Sequence, residues 1–129
     1  MKKSLLFLSV ILFAAGMTNA QSQKKTSGKL LRHVVLFKFK DTATPDDIKK
    51  VEEAFRELPS IITEVKAFEW GTNNSPESLN QGFTHCFFVS FASERDRDAY
   101  LPHPAHTAFT ALLKPYLDKA LVIDYWASN

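Results

Sequence analysis

Four histidines and one tyrosine carry most of the chemistry this chain offers. His33 and His85 fall in stretches of strand character, LLRHVVLFKFK and FTHCFFVSF, and period-two alternation puts them on the same side as Phe37 and Phe87. His103 and His106 open a helical stretch just after Tyr100. His106 lies three residues before Phe109 and seven before Leu113, which places it on that helix's buried stripe. Three imidazoles, His33, His85 and His106, are therefore expected to converge with the Tyr100 phenol in one apolar cavity between sheet and helices. Imidazole titrates closest to neutrality, so His106 suits general acid–base proton transfer, and a Tyr100 hydroxyl beside it suits holding an oxygen where charge develops. The same pattern also fits buried histidines that only satisfy core hydrogen bonds. His103 and His106 have a spacing at which they could share a metal, but no Asp or Glu stands beside them, and His103 before Pro104 fits a hydrogen bonder at a helix start. No metal site is expected.

Other chemistries lack their residues. There is no G-x-G-x-x-G, Walker loop or H-E-x-x-H, so nucleotide and metalloprotease readings fall away and no cofactor is expected. One Cys excludes an internal disulfide framework and a multi-cysteine metal site. The 16 basic and 14 acidic residues give a formal charge of +2. Setting aside Lys2, Lys3, Lys24, Lys25 and Lys29, all before Leu30, takes the basic count from sixteen to eleven and turns the remainder mildly acidic. No nucleic-acid partner is expected.

Those lysines belong to an address and a leader. Lys2 and Lys3 precede an 11-residue apolar run, Leu5 to Ala15, and Thr18-Asn19-Ala20 supplies small residues before a cut at Gln21. This is the secretory pattern, too short for a stable membrane anchor. Residues 1–20 are expected to be a signal peptide, 21–29 a flexible leader and 30–129 the domain. The mature protein is then exported to the periplasm or outside the cell.

The elements that must position the histidines follow from local signals in a chain of one-domain length. Leu30 to Lys40 predicts a strand. Thr44-Pro45-Asp46-Asp47 predicts a capped helix start, with Ile48, Val51, Phe55 and Leu58 at helical spacing and Pro59 as its stop. Ile61 to Trp70 predicts a second strand, Thr72 to Gly82 a polar loop and Phe83 to Phe91 a third strand. Ser93 caps a short helix to Tyr100, Pro104 to about Lys114 makes another, and Lys119 to Trp126 is the last strand. The order β-α-β-β-α-α-β predicts an α+β, ferredoxin-like sandwich: a four-stranded antiparallel sheet with helices on one face. The other face is expected to carry Val34, Leu36, Cys86, Phe88, Val122 and Trp126. So apolar a face calls for a cover, most simply a second copy, although Lys38, Thr84 and Ser90 wet it.

The segments RHVVLFKFK, Trp70-Gly71, GFTHCFFVSF and above all AYLPHPAHTAF resemble the Dabb family of stress-responsive, dimeric α/β-barrel domains, over Leu30 to about Trp126. The resemblance implies a ferredoxin-like fold whose dimer closes a barrel between two sheets. The family includes plant stress proteins and plant polyketide cyclases that perform a cofactor-free aldol condensation. By motif, the cyclases' working histidine corresponds to His106 in HPAH, their substrate-holding tyrosine to Tyr100, and further pocket histidines to His33 and His85. Phe55 stands where the cyclases place a tyrosine. The expectation is an exported homodimer that binds a small molecule or serves in stress, with His33, His85, Phe37, Phe87 and Phe109 around the ligand. The alternative is a cofactor-independent cyclase, isomerase or lyase acting on a small carbonyl or polyketide-like compound.

Overall fold

A computed structural model describes residues 28–128, so the signal peptide expected over residues 1–20 and the leader up to residue 27 lie outside the described residues. Its elements run β1 (Leu31–Phe39), α1 (Pro45–Ile61), β2 (Val65–Thr72), β3 (His85–Phe91), α2 (Glu94–Tyr100), α3 (Pro104–Leu113) and β4 (Leu117–Trp126). The strands form one sheet in the order β2-β3-β1-β4, every pair antiparallel, which is the ferredoxin-like arrangement. Among the described residues no helix is long and apolar enough to cross a membrane.

Alternation builds the core. Leu31, His33, Val35, Phe37 and Phe39 of β1 and His85, Phe87, Val89 and Phe91 of β3 are all buried, and all face the helices. Phe55 of α1 stacks on Phe87 with ring centroids 4.2 Å apart, and Phe109 of α3 lies 4.6 Å from Phe55. Helix α1 begins with a capping box. The Thr44 hydroxyl accepts from the Asp47 amide, and the Asp47 carboxylate accepts from the Thr44 hydroxyl at 2.7 Å and the Thr44 amide at 3.0 Å, which together hold the carboxyl below its usual range.

Two sequence expectations need correction here. Pro59 does not stop α1, which continues to Ile61 with Ile62 as its cap. Pro59 has no amide hydrogen to give the Phe55 carbonyl, but the buried Leu58 and Ile62, joined by the bond from the Ile62 amide to the Leu58 carbonyl at 2.8 Å, hold the extra turn on the core. Residues 61 and 62 are therefore not strand, and β2 starts at Val65. The second correction concerns β4. Val122 pairs with Val35 and Trp126 with Leu31, so both sit on the helix-facing side. The open face of β4 instead carries Leu121, Ile123 and Tyr125, opposite Leu36, Val34 and Arg32. Ser90, expected to wet that face, is buried beneath Arg32, whose guanidinium donates to its hydroxyl.

The β2–β3 loop turns through left-handed backbone at Ser78, Gln81 and Gly82. Gly82 has φ +83°, a conformation that favours glycine; a Cβ there would also meet the Lys38 side chain at 2.7 Å, which could swing aside.

Candidate functional site

Helices α1 and α3 cover β1 and β3 but leave the inner side of β4 open: Val122 points inward yet is 51 % exposed. The gap is a cavity of about 700 Å³. Its walls are His33, Val35 and Phe37 from β1, Phe55 from α1, Tyr100 from α2, His106, Phe109 and Leu113 from α3, and Val122 and Asp124 from β4. Most of this lining is apolar; His33, Tyr100, His106 and Asp124 lie together at one end, while Thr107, Thr110 and Lys114 follow α3 away from it.

At that end the Tyr100 ring lies 4.5 Å from His106 and 6.0 Å from His33. The His106 Nδ1–H donates to the Leu101 carbonyl at 2.9 Å, which leaves Nε2 as the open nitrogen of the ring. Burial lowers the pKa of His106, while its bond to the Leu101 backbone pulls the other way. The neutral, basic form is thereby favoured. The His33 Nδ1–H donates to Asp124 Oδ1 at 2.6 Å, and Arg97 of α2 holds the other carboxylate oxygen at 3.0 Å. The Tyr100 hydroxyl is buried and has no hydrogen-bond partner among the described residues. Burial pushes its pKa up, so it stays a protonated donor.

The structure thus brings together His33, Tyr100, His106, Phe37 and Phe109, and separates two residues expected beside them. His85 pairs opposite Phe37 in the sheet, four residues along β1 from His33, roughly 13 Å at strand rise. It does not line this cavity. Its Nε2–H donates to Glu52 at 2.8 Å and its Nδ1 accepts from the Thr84 hydroxyl at 2.8 Å, so both ring nitrogens are occupied. Phe87 is fully buried between Phe55 and Trp70 and is core rather than wall. His103 serves as N-cap of α3, its Nδ1 accepting from the Ala105 amide at 3.1 Å. Replacing His85 with alanine should therefore cost stability and leave ligand binding alone. Two hydrogen bonds are lost at about 0.5–1.5 kcal/mol each, since water can reach Thr84 and Glu52, together with the ring's packing on Phe39 and Trp70. Thermal melting beside ligand affinity checks this, and a loss of affinity at unchanged melting temperature would return His85 to the site.

Asp124 and Arg97 are site residues that sequence reasoning missed. Asp124 sits in LVIDYW, apolar on both faces, so alternation alone does not choose its side. The antiparallel pairing of His33 with Asp124 was the signal, and it needs the register of β4. Among the described residues, no group of three or more His, Cys, Asp or Glu could hold a metal ion.

The family model described as "Stress responsive A/B Barrel Domain", Dabb, matches residues 31–127. A stress-response A/B barrel domain-containing protein of Arabidopsis thaliana is 41% identical over 95 residues, 74% of this chain and 87% of that protein. Olivetolic acid cyclase of Cannabis sativa is 30% identical over 95 residues, 74% of this chain and 94% of the cyclase. Among solved structures, hydroxynitrile lyase from Passiflora edulis is similar with a TM-score of 0.73 and 26% identity, covering 78% of this chain and 95% of that one. A dimeric ferredoxin-like protein from Thermobifida fusca is similar with a TM-score of 0.68 and 29% identity, covering 78% and 93%.

Proposed function

This chain belongs to the stress responsive A/B barrel (Dabb) family, and from that membership we propose that it works as a homodimer whose His33–Tyr100–His106 cavity binds a small, mostly apolar carbonyl compound and moves a proton on it without a cofactor. The observation that carries this reading is the Tyr100 hydroxyl, buried without a partner on a residue that lines the cavity beside His106. A buried hydroxyl without a partner costs free energy, and a ligand oxygen in the cavity would supply the partner. The Tyr100 O–H would donate to the carbonyl oxygen as negative charge builds there. His106 Nε2 would take a proton from the carbon or hydroxyl beside the carbonyl and later return it. His33, fixed by Asp124 and Arg97, stands at the same end of the cavity, 6.0 Å from the Tyr100 ring. Similarity to a cyclase and to a lyase supports an enzyme over a binding module.

A second reading, a stress-related binding module without turnover, has one observation in its favour: His106 is already engaged with Leu101, as a purely structural histidine would be.

The test is incubation in D₂O with a panel of small ketones and aldehydes. NMR should show deuterium entering beside the carbonyl, and binders should raise the melting temperature. Binding without exchange selects the second reading. Neither binding nor exchange overturns both.

The dimer rests on the open sheet face, where Leu121, Ile123 and Tyr125 are each more than 40 % exposed beside Val34, Leu36 and Phe88. The dimeric neighbour supports it. We also propose export, from the apolar run and small residues before Gln21. N-terminal sequencing of the expressed protein should begin near Gln21, and a cytoplasmic chain still starting at Met1 would sink the idea.

A further inference from the structure

The open face of the sheet is apolar but not uncharged. Register puts Arg32 and Lys38 of β1, Lys119 of β4 and Glu69 of β2 on its outward side. Lys38 is already paired, with Asp118 at 3.1 Å. Lys119 is exposed on the edge strand β4, where water solvates it. Arg32 is placed differently. It stands half-buried on the inner strand β1, its guanidinium 5.3 Å from the Phe88 ring centroid and donating to the Ser90 hydroxyl. Those contacts supply no opposite charge. Among the described residues neither Arg32 nor Glu69 has an ion-pair partner. Both flank one hollow of about 190 Å³ on this face, with Phe88 and Ser90 between them, yet they do not meet within the chain.

In a single chain water serves the Arg32 guanidinium. A second sheet packed about 10 Å away would strip that water. A guanidinium cannot escape the cost by giving up its proton, and a buried charge without a partner opposes assembly strongly. Glu69 is the acid this face leaves unpaired. A two-fold dimer presents each surface to the other twice, so one acid per chain answers one guanidinium per chain. We infer that Arg32 of each copy pairs with Glu69 of the other, and that these two reciprocal ion pairs fix how the sheets are set on one another. This deepens the proposed homodimer and rests on it. Apolar burial supplies non-directional attraction, and the charges supply the register.

The test is charge reversal followed by mixing. Arg32→Glu sets acid against acid at both sites, and Glu69→Arg sets cation against cation. Each homodimer should weaken by about two orders of magnitude or more. Mixed in equal amounts, the two variants should form the heterodimer, because one site then holds the pair with its charges exchanged and the other the wild-type pair. The double variant should dimerise by itself. Native mass spectrometry after mixing reads the pairing, and light scattering after size exclusion reads the masses. A mixture with no preference for the heterodimer overturns the inference, since pairing within one chain predicts that result. Single variants that dimerise like wild type also overturn it. Should a reversal unfold the chain, Arg32→Gln and Glu69→Gln replace it: each should weaken the dimer, and the two together no more than either alone, whereas additive losses overturn the pairing. Wild-type protein that is monomeric at micromolar concentration removes the dimer itself, and the inference with it.

Discussion

Replacing Tyr100 with phenylalanine should make the empty protein more stable and the working protein worse. The ring keeps its place against His33, Phe91 and His106, and only the buried, unpartnered hydroxyl is lost. Removing such a group relieves a penalty of about 1–3 kcal/mol. In a domain of this size each kcal/mol moves the melting temperature by about 4–8 °C, so a rise of several degrees is expected. Proton exchange on a carbonyl substrate should meanwhile fall by about 10²–10³-fold, the usual loss when one donor to a developing oxyanion is deleted. His106→Ala completes the comparison. It removes the base and should slow exchange by about 10²–10⁴-fold. It releases the Leu101 carbonyl, but Leu101 is 42 % exposed, so water can take over that bond and the melting temperature should change little. The pH profile carries a further signature. Burial holds the His106 pKa below its ordinary value, so the basic form persists into mildly acidic solution and activity falls only as pH drops through that lowered value. A Tyr100→Phe protein that melts earlier while exchanging protons at the wild-type rate would assign the hydroxyl to the fold and leave the site without its donor.

What was legible in the sequence depended on how sharply each face was marked. β1 alternates between buried and half-buried positions, so His33, Phe37 and the core side could be placed from spacing alone. The i, i+3, i+7 spacing from His106 did the same for α3, and Tyr100 followed from its place at the end of α2. β4 offered no such contrast, because LVIDYW is apolar in both registers. Its assignment to the wrong face moved Val122 out of the cavity and hid Asp124, and with it the Arg97–Asp124–His33 chain. His85 shows a different limit. Its face was correct, but a strand is long, and two residues on one face can stand far apart. Only the pairing of β3 with β1 reveals that His85 lies beside Phe37, within reach of Glu52 rather than Tyr100. Pro59 does not end α1 because burial of Leu58 and Ile62 offsets the helix bond it removes, and that packing is not written in the local sequence.

Replacing Phe88 with aspartate should split the proposed dimer without emptying the cavity. Phe88 stands at the middle of the open face, opposite Val34 and beside Leu36, with Ile123 and Leu121 across β1. A carboxylate buried there between two sheets lacks a fixed counter-charge, a cost of about 3–5 kcal/mol. At 1.4 kcal/mol per factor of ten, dimerisation should weaken by about two to three orders of magnitude or more. One neighbour works against this: the Arg32 guanidinium lies 5.3 Å from the Phe88 ring centroid and could pair with the new charge. Ile123→Asp is the cleaner companion, because it lies on the β4 side of β1, whereas the Arg32 guanidinium reaches toward β3, over the Phe88 ring and onto the Ser90 hydroxyl. Light scattering after size exclusion should report the single-chain mass for Ile123→Asp and a shifted equilibrium for Phe88→Asp. The cavity offers an independent readout. Its lining comes from one chain and lies on the opposite side of the sheet, so a monomeric variant that remains folded should still bind small ketones and aldehydes. Wild-type protein that is already monomeric at micromolar concentration would remove the sheet-to-sheet dimer. Loss of binding in a folded monomer would mean that the partner shapes the cavity through the sheet, coupling assembly to the site.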